Sequence, residues 1–182
     1  MAWNGLADLS TSNSFKVTLL TKVYSVSVSD RSITSESSAT PANGYLSVVI
    51  LHYLIGILKH GYKPTGEWVS FKEIWGGDSF FPAYRKRTIQ PLIDFLKRDP
   101  EGLIKNIVSM NGKIVEGGDV SIMLSTFPGI QVKIVLWMGE EEIPPEVTML
   151  FDKSLDDVLL TEDIAFLLDL ISYSIIRGSR IG

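Results

Sequence analysis

Alternation of apolar and polar residues is clearest in the C-terminal half of the chain. A period of two holds over 120–125, 130–136 and 147–151, which places successive side chains on opposite faces of a β-strand. The segment Phe127-Pro128-Gly129-Ile130 has proline and glycine in the positions that a type II turn favours. The acidic loop Gly139–Glu146 separates the last two stretches. We therefore predict a three-stranded antiparallel meander.

The N-terminal region has a weaker version of the same pattern. Residues 15–19 and 24–28 alternate with period two and predict two strands, as a hairpin or as one long bent strand. Residues 1–14 are small and polar with a few apolar residues at helical spacing, which permits a short helix or a loose end. Ser29–Pro41 is rich in serine and threonine, so we expect a surface loop.

One stretch is apolar around nearly the whole circumference of a helix, which is typical of a helix buried on most sides. It runs from Asn43 to His60. Asn43 is a suitable N-cap, and Gly61 suits the left-handed conformation that often ends a helix. We expect this helix to form the centre of the core. Its apolar residues are Leu46, Val49, Ile50, Tyr53, Leu54, Ile57 and Leu58.

The middle of the chain mixes strand, turn and helix signals. Trp68–Phe71 predicts a short strand or the start of a helical turn, and Gly76-Gly77-Asp78 predicts a turn, because glycines accept positive φ. Pro82 is expected to prevent the aromatic residues around it from continuing a helix. Thr88 is a plausible N-cap for a helix with Pro91 in its first turn. The apolar stripe of that helix is Ile89, Leu92, Ile93 and Leu96.

Two further helices complete the pattern. Asp99-Pro100 ends the preceding helix, and a second short helix follows through Leu103, Ile104 and Ile107. Asn111-Gly112 then predicts a turn. Near the C-terminus Thr161 is the expected N-cap of a helix whose Glu162 and Asp163 suit the helix dipole. The apolar stripe of this last helix is Ile164, Leu167, Leu168, Ile171 and Ile175.

The order of these elements predicts an α+β fold. We expect an antiparallel sheet, made of the C-terminal three-stranded meander and the N-terminal strands, to pack against the buried central helix and the C-terminal helix. No domain boundary is evident, so residues 1–182 are interpreted as a single domain. Residues 1–14 permit a loose end as well as a short helix, and 177–182 are expected to fray.

Composition narrows the functional classes. The net charge of −4 provides no basic field to hold nucleic acid. The chain contains no cysteine, which excludes disulfides, iron–sulfur clusters or zinc held by thiolates, and cysteine nucleophiles. We therefore expect no cofactor and a cytoplasmic location. Residues 1–14 lack the pattern of a secretory signal, and the longest apolar run, Tyr45–Leu58, is too short to span a membrane.

The segment Gly66–Arg87 is the richest in groups that bind ligands. Its aromatic residues could line a pocket that stacks a flat ligand, although aromatic residues serve more often in core packing. The glycine pair alone is weak evidence for a phosphate loop, since it lacks the spacing of the known phosphate-binding motifs. The candidate ligand-binding residues are Trp68, Trp75, Asp78, Phe80, Phe81, Tyr84, Arg85, Lys86 and Arg87.

The basic triplet Arg85-Lys86-Arg87 precedes the expected helix start at Thr88. A helix N-terminus with nearby cations would suit a phosphate or a carboxylate. The alternative is that the triplet pairs with Asp78, Glu73 or the Glu140–Glu142 loop, because charge runs are usually solvated or paired.

The histidines and carboxylates give little evidence of chemistry. His52 and His60 are separated by about 12 Å along one helix, which is too far for one metal ion. We interpret His52 as a hydrogen-bonded core residue. The acidic loop could hold Mg²⁺ or Ca²⁺, but its spacing matches no EF-hand, so no metal is expected.

Several long motifs resemble the prokaryotic family catalogued as domain of unknown function 3786. They are GEWVSFKEIWGGDSFFPAYRKRTIQPLIDF, the upstream LHYL and the downstream VLWMGEEEIPPEVTMLFD and LTEDIAFL. The resemblance covers about 45–175. It implies a cytoplasmic domain from an anaerobic prokaryote, and it supplies no catalytic residues. Some members carry a cysteine-rich iron–sulfur segment, which this cysteine-free chain does not share.

Three functional hypotheses follow. The first is a non-enzymatic binding or accessory module for a small anionic or flat ligand or a partner protein, with the Glu140–Glu146 loop bordering the site. The second is an enzyme in which Asp78 or the acidic loop supplies a carboxylate base and Arg85 or Arg87 stabilises an anion. The third, nucleic-acid binding, is disfavoured by the acidic total charge. We expect neither a nucleic-acid nor a membrane partner.

Overall fold

The computed structural model describes residues 2–178, which form six α-helices and eight strands. The helices are α1 (Ala2–Leu9), α2 (Gly44–His60), α3 (Gly77–Tyr84), α4 (Gln90–Arg98), α5 (Pro100–Ser109) and α6 (Thr161–Arg177). The strands are β1 (Ser14–Leu19), β2 (Lys22–Ser27), β3 (Ser32–Ser35), β4 (Trp68–Ser70), β5 (Lys113–Val115), β6 (Val120–Ser125), β7 (Gln131–Trp137) and β8 (Glu146–Asp152).

The strands form two antiparallel sheets, so the predicted α+β class is confirmed. The predicted meander is β6–β7–β8, and it is extended at its edges by β5 and β4 into the order β4-β8-β7-β6-β5. The N-terminal strands form a separate sheet of order β1-β2-β3 rather than joining the meander. The backbone N–H of Leu20 donates to the carbonyl of Thr126, which connects the two sheets.

The Ser29–Pro41 region contains a strand, so its prediction as a loop is wrong. Strand β3 lies within it and pairs with β2, with Ile33 opposite Val26. Ile33 is only 4% exposed. A single buried apolar side chain among serines and threonines is too short a pattern to show a period of two. Strand β3 is stabilised by its pairing with β2 and by the burial of Ile33 in the core.

Helix α2 begins and ends as predicted. The side chain of Asn43 accepts a hydrogen bond from the N–H of Leu46 at 3.0 Å, and Gly61 has a φ of 68°. Val49, Ile50 and Leu51 are buried. Helix α1 packs against this helix with Leu6 fully buried, so the beginning of the chain is helical.

The prediction that Pro82 prevents a helix is wrong, and so is the prediction of a helix start at Thr88. Pro82 lies inside α3, and α3 continues into α4 through a π-helical turn, Arg85–Ile89. The N–H of Gln90 donates to the carbonyl of Arg85, five residues back. This wider turn lies directly before Pro91, whose ring would crowd a normal α-helical turn. The chain therefore remains helical through both prolines, from α3 to α4.

The sequence also predicted where α5 and α6 begin. Asp99 caps α5 through the N–H of Gly102 at 2.9 Å, which agrees with the predicted break. Thr161 is not the cap of α6, because Leu160 is the N-cap residue. The Thr161 hydroxyl instead donates to the carbonyl of Trp75 at 2.8 Å. Fraying was expected over 177–182. Arg177 is the last residue of α6 and the N–H of Gly178 donates to the carbonyl of Ile175, whereas residues 179–182 lie outside the described part of the chain.

The helices join the two sheets through one continuous apolar cluster. Helix α4 contacts β8 and α5 contacts β6, while α6 contacts α2, α4 and α5. The rings of Tyr53 and Phe127 stack at 4.2 Å between α2 and the β6–β7 turn. Helix α6 therefore lies at the centre of the helical layer, and one side of its N-terminal half faces α2.

Candidate functional site

The helical rod α3–α4 divides the predicted site residues between two faces. Phe81 and Arg85 lie on the face towards β8, and Phe80 and Arg87 on the face towards α6. Tyr84 lies between them and is 3% exposed, with its ring 4.4 Å from that of Phe71. Burial of Tyr84 raises the pKa of its phenol. Tyr84 is therefore a core residue, and the others do not share one pocket.

The remaining predicted residues lie at the surface. Trp75 is 84% exposed and Trp68 is 37% exposed. Asp78 is also exposed, with a long contact of 3.7 Å to the ammonium of Lys72. Lys86 is exposed and has no partner among residues 2–178. These residues are therefore accessible, but they do not converge.

Two members of the basic triplet are paired, with partners that the sequence did not indicate. Arg85 makes two hydrogen bonds of 2.8 Å to the carboxylate of Glu146 at the start of β8. The Arg85 guanidinium holds the pKa of the Glu146 carboxyl below its usual range. Arg87 contacts the carboxylate of Asp169 on α6. No helix begins at Thr88, so the geometry on which the anion hypothesis depended is absent there.

A broad concave surface lies between α2 and α6. We call it the α2–α6 groove, and its volume is about 670 Å³. Its wall on α2 is a stripe at helical spacing, and its wall on α6 is a second such stripe. The groove is lined by Tyr45, Val48, Val49, His52, Arg87, Leu160, Glu162, Asp163, Phe166 and Asp169.

The two walls are joined by an aromatic pair and by a polar pair. Tyr45 and Phe166 stack with ring centroids 6.0 Å apart. The Nδ1 of His52 lies 2.7 Å from the Oδ2 of Asp163. Tyr45 lies in the first turn of α2 and meets Phe166 in the second turn of α6, whereas His52, further along α2, meets the first turn of α6. The two helices therefore run antiparallel along the groove.

Asp163 also caps α6, which explains why a buried carboxylate is tolerated there. Its side chain accepts a hydrogen bond from the N–H of Leu160 at 3.3 Å, and Asp163 is 6% exposed. His52 is thus hydrogen-bonded, as the sequence indicated, although its side chain is still 30% exposed to solvent. The imidazole edge that carries Nε2 faces away from Asp163.

The groove carries more negative than positive groups. Glu162, Asp163 and Asp169 line it, against Arg87 and the titratable His52. Arg87 is already paired with Asp169, and Asp163 with His52. Glu162 is exposed and has no partner among the described residues. Glu162 therefore leaves an unpaired carboxylate in the groove, and this carboxylate attracts a cationic group and repels an anion.

Exposed apolar side chains surround this carboxylate. Tyr45 is 77% exposed, Val48 42% and Leu160 62%. The concavity continues past Glu162 and Arg87 to Phe80, which is 51% exposed. In the other direction it continues past His52 and Leu160 to His60. Trp75 stands beside the start of α6, since its carbonyl accepts the hydroxyl of Thr161.

Of the residues predicted from the sequence, Arg87 lines the groove and Phe80 lines its extension, whereas Tyr45 and Phe166 were not predicted. A signal was available: Tyr45, Val48 and His52 occur at i, i+3 and i+7 of a helix. The sequence could not show that this stripe faces a groove, because α2 is apolar on all sides.

No cluster of three or more metal-binding side chains occurs within residues 2–178. In the same part of the chain, no helix combines the length and apolar character needed to cross a membrane. The cytoplasmic location and the anaerobic source stay predictions.

The model of one protein family, described as Domain of unknown function (DUF3786), matches residues 1–174. No curated protein and no solved structure is found to match the chain.

Proposed function

Since the chain belongs to the family described as a domain of unknown function 3786, we propose its function from the groove itself: a non-enzymatic module that binds a segment of a partner protein. The segment would place apolar side chains in the α2–α6 groove and a Lys or Arg side chain against Glu162. The observation that supports this proposal is the exposed apolar border of Tyr45, Val48 and Leu160 around an unpaired carboxylate.

Apolar exposure of this kind has a physical cost unless a partner covers it. Clustered exposed apolar side chains with a polar margin mark interaction surfaces, and aromatic residues at the centre of an interface often dominate its binding energy. Tyr45 and Phe166 would provide such a centre, since they are already stacked and lose little side-chain freedom on binding.

Charge favours a protein segment over the small anionic ligand suggested by the basic triplet. The two arginines of the triplet that lie beside concavities are neutralised by Glu146 and Asp169. An anion in the α2–α6 groove would face Glu162 at close range, whereas a cationic side chain would be attracted. The enzyme hypothesis stays a prediction, and Asp78, one of its proposed bases, is an exposed residue outside the groove.

The proposal is tested by selecting peptides from a random displayed library against the purified domain. The enriched peptides are expected to combine aromatic or aliphatic residues with Lys or Arg. Synthetic copies are then titrated against Tyr45→Ala, Leu160→Ala and Glu162→Gln by calorimetry. Each substitution in the groove should weaken binding by about tenfold.

Ile114→Ala is the matched control. Ile114 is 68% exposed, but it lies on β5 at the far edge of the larger sheet. Binding that is unchanged in the groove variants, or that falls only in the control, would contradict the proposal. Failure to enrich any peptide would also contradict it, because an open groove of this kind should accept a short segment.

A further inference from the structure

A second cavity lies beside the C-terminal half of α6, apart from the α2–α6 groove. We call it the hairpin pocket: it is bounded by the β1–β2 hairpin, the segment Thr40–Asn43 and the C-terminal half of α6 from Leu170 to Ser174. Its volume is about 290 Å³, close to the lower end of the range for small-molecule pockets, about 300 Å³. It shares no lining residue with the groove or with the two concavities that extend it.

The walls of the hairpin pocket are mostly apolar. Leu19 of β1, Leu46 of α2, Leu170 of α6 and Met110, which directly follows α5, line the space. Leu19 and Met110 also belong to the buried core. A hydrocarbon or aromatic group placed here would leave water without disturbing a polar wall.

One cation lies in this apolar lining, and no carboxylate does. Lys22 is half-buried and has no acidic side chain within ion-pair distance among the described residues. Its register opposite Leu19 and its spacing of two from Tyr24 place it on the core-facing side of β2. A lysine directed inward at an apolar cavity without a counter-ion is unusual, since partly desolvated charges are normally paired.

A hydroxyl on the same strand face is also without a partner. Tyr24 is 7% exposed, and its phenol makes no hydrogen bond with the residues described. Among the described residues, every side-chain oxygen or nitrogen that is fully shielded from solvent has a hydrogen-bond partner. Because the Tyr24 hydroxyl has no such partner, it must contact solvent. Tyr24 is otherwise buried, so this contact is through the cavity that it lines. Burial raises the pKa of this phenol, which keeps it a hydrogen-bond donor at neutral pH.

We propose that the hairpin pocket binds a small amphipathic carboxylate. The apolar part of the ligand occupies the space among Leu19, Leu46 and Leu170, and its carboxylate accepts hydrogen bonds from the ammonium of Lys22 and the hydroxyl of Tyr24. The two donors are two residues apart on one strand face, about 7 Å along the strand, which long side chains can converge across. A single cation matches a monoanion, and charge-assisted hydrogen bonds would fix the orientation of the ligand.

Octanoate is a suitable probe, because it joins a flexible hydrocarbon chain to one carboxylate. Calorimetry of the whole chain should show saturable binding with a Kd on the order of 0.1–1 mM. Octylammonium has the same chain with the opposite charge and should bind at least about tenfold more weakly, since it would face Lys22. In two-dimensional NMR, octanoate should shift the signals of Tyr24, Leu46 and Leu170.

Three variants test the assigned contacts. Lys22→Gln should weaken octanoate by about tenfold, and Tyr24→Phe by about threefold, as expected for one charged and one neutral hydrogen bond. Lys113→Gln removes an exposed lysine on the other sheet and should leave binding unchanged. Circular dichroism of each variant confirms that it is folded. Tyr24→Phe keeps the ring, so its packing is preserved.

Three results would overturn the proposal. The first is no saturable octanoate binding up to about 10 mM, well above the expected Kd. The second is equal binding of octanoate and octylammonium, which would indicate an apolar contact without charge recognition. The third is octanoate affinity that is unchanged by Lys22→Gln, which would place the ligand elsewhere.

Discussion

The imidazole of His52 and the carboxylate of Asp163 form a hydrogen bond of 2.7 Å between residues that are 111 positions apart in the sequence. The bond joins the middle of α2 to the first turn of α6, and Asp163 caps that turn at the same time. One pair of side chains therefore fixes the distance between the two walls of the α2–α6 groove and the start of one of them.

Replacement of His52 by alanine should destabilise the protein by about 1–3 kcal/mol. The substitution removes the stronger partner of a nearly buried carboxylate, and a buried acceptor left partly unsatisfied costs about this much. Urea unfolding followed by tryptophan fluorescence measures the change in free energy of unfolding. His60→Ala is the control: His60 is exposed at the end of α2, and its loss should cost less than about 0.5 kcal/mol. Equal losses in the two variants would show that the His52–Asp163 bond does not hold the helices together.

Asp152 should make the stability of the protein depend on pH. It is 4% exposed, and it accepts hydrogen bonds from Thr65, from Gly66 and from Ser154. Burial alone would raise the pKa of this carboxyl, but these hydrogen bonds outweigh burial and hold the pKa well below its usual range. The group therefore binds fewer protons in the folded state than in the unfolded state at acidic pH.

The sign of the effect follows from this difference. A depressed folded pKa contributes stability that is fully present above the unfolded value, about 3.9, and that is lost as the pH falls below it. We expect the free energy of unfolding to drop progressively as the pH falls from about 4 to about 2, and Asp152→Asn to be less stable at pH 7 and to show a smaller drop. Asp78→Asn, at an exposed position, should keep the wild-type profile. Parallel profiles for Asp152→Asn and the wild type would contradict the assignment.

Gly56 should not tolerate even a methyl group. A Cβ built there lies 2.2 Å from the carbonyl oxygen of Val158, a backbone atom that cannot rotate away. Gly56→Ala should therefore cost about 1–3 kcal/mol, despite the better helix propensity of alanine. Gly44→Ala in the same helix is the control, since its Cβ meets no atom within 4 Å. That variant should be neutral or more stable by up to about 1 kcal/mol. Thermal unfolding of the two variants gives the comparison, and an unchanged Gly56→Ala would mean that α2 can move away from Val158.

The candidate site was only partly predictable from sequence. The sequence-predicted stretch contains Arg87, which lines the groove, and Phe80, which lines the concavity that extends it. The same stretch contains Tyr84, which packs in the core, and Arg85, which pairs with Glu146. Local composition does not distinguish a buried ring from an exposed one, because the side of a helix that faces the core depends on what packs against it.

Local physics alone determined several elements of this protein. The alternating pattern of residues 120–151 produces the meander, because a period of two can bury only one face of each strand. Asn43 and Gly61 set the ends of α2, because a side-chain cap and a positive φ act within one turn. The absence of cysteine excluded thiolate chemistry without any structure.

The tertiary structure decided the features that join distant segments. The pairing of Arg87 with Asp169 and the meeting of Tyr45 with Phe166 each depend on where α6 lies. The cavity that Lys22 lines likewise depends on α6, which contributes part of its wall. Such contacts follow from the packing of whole helices and sheets, and that packing is set by the sum of many apolar contacts rather than by any short motif.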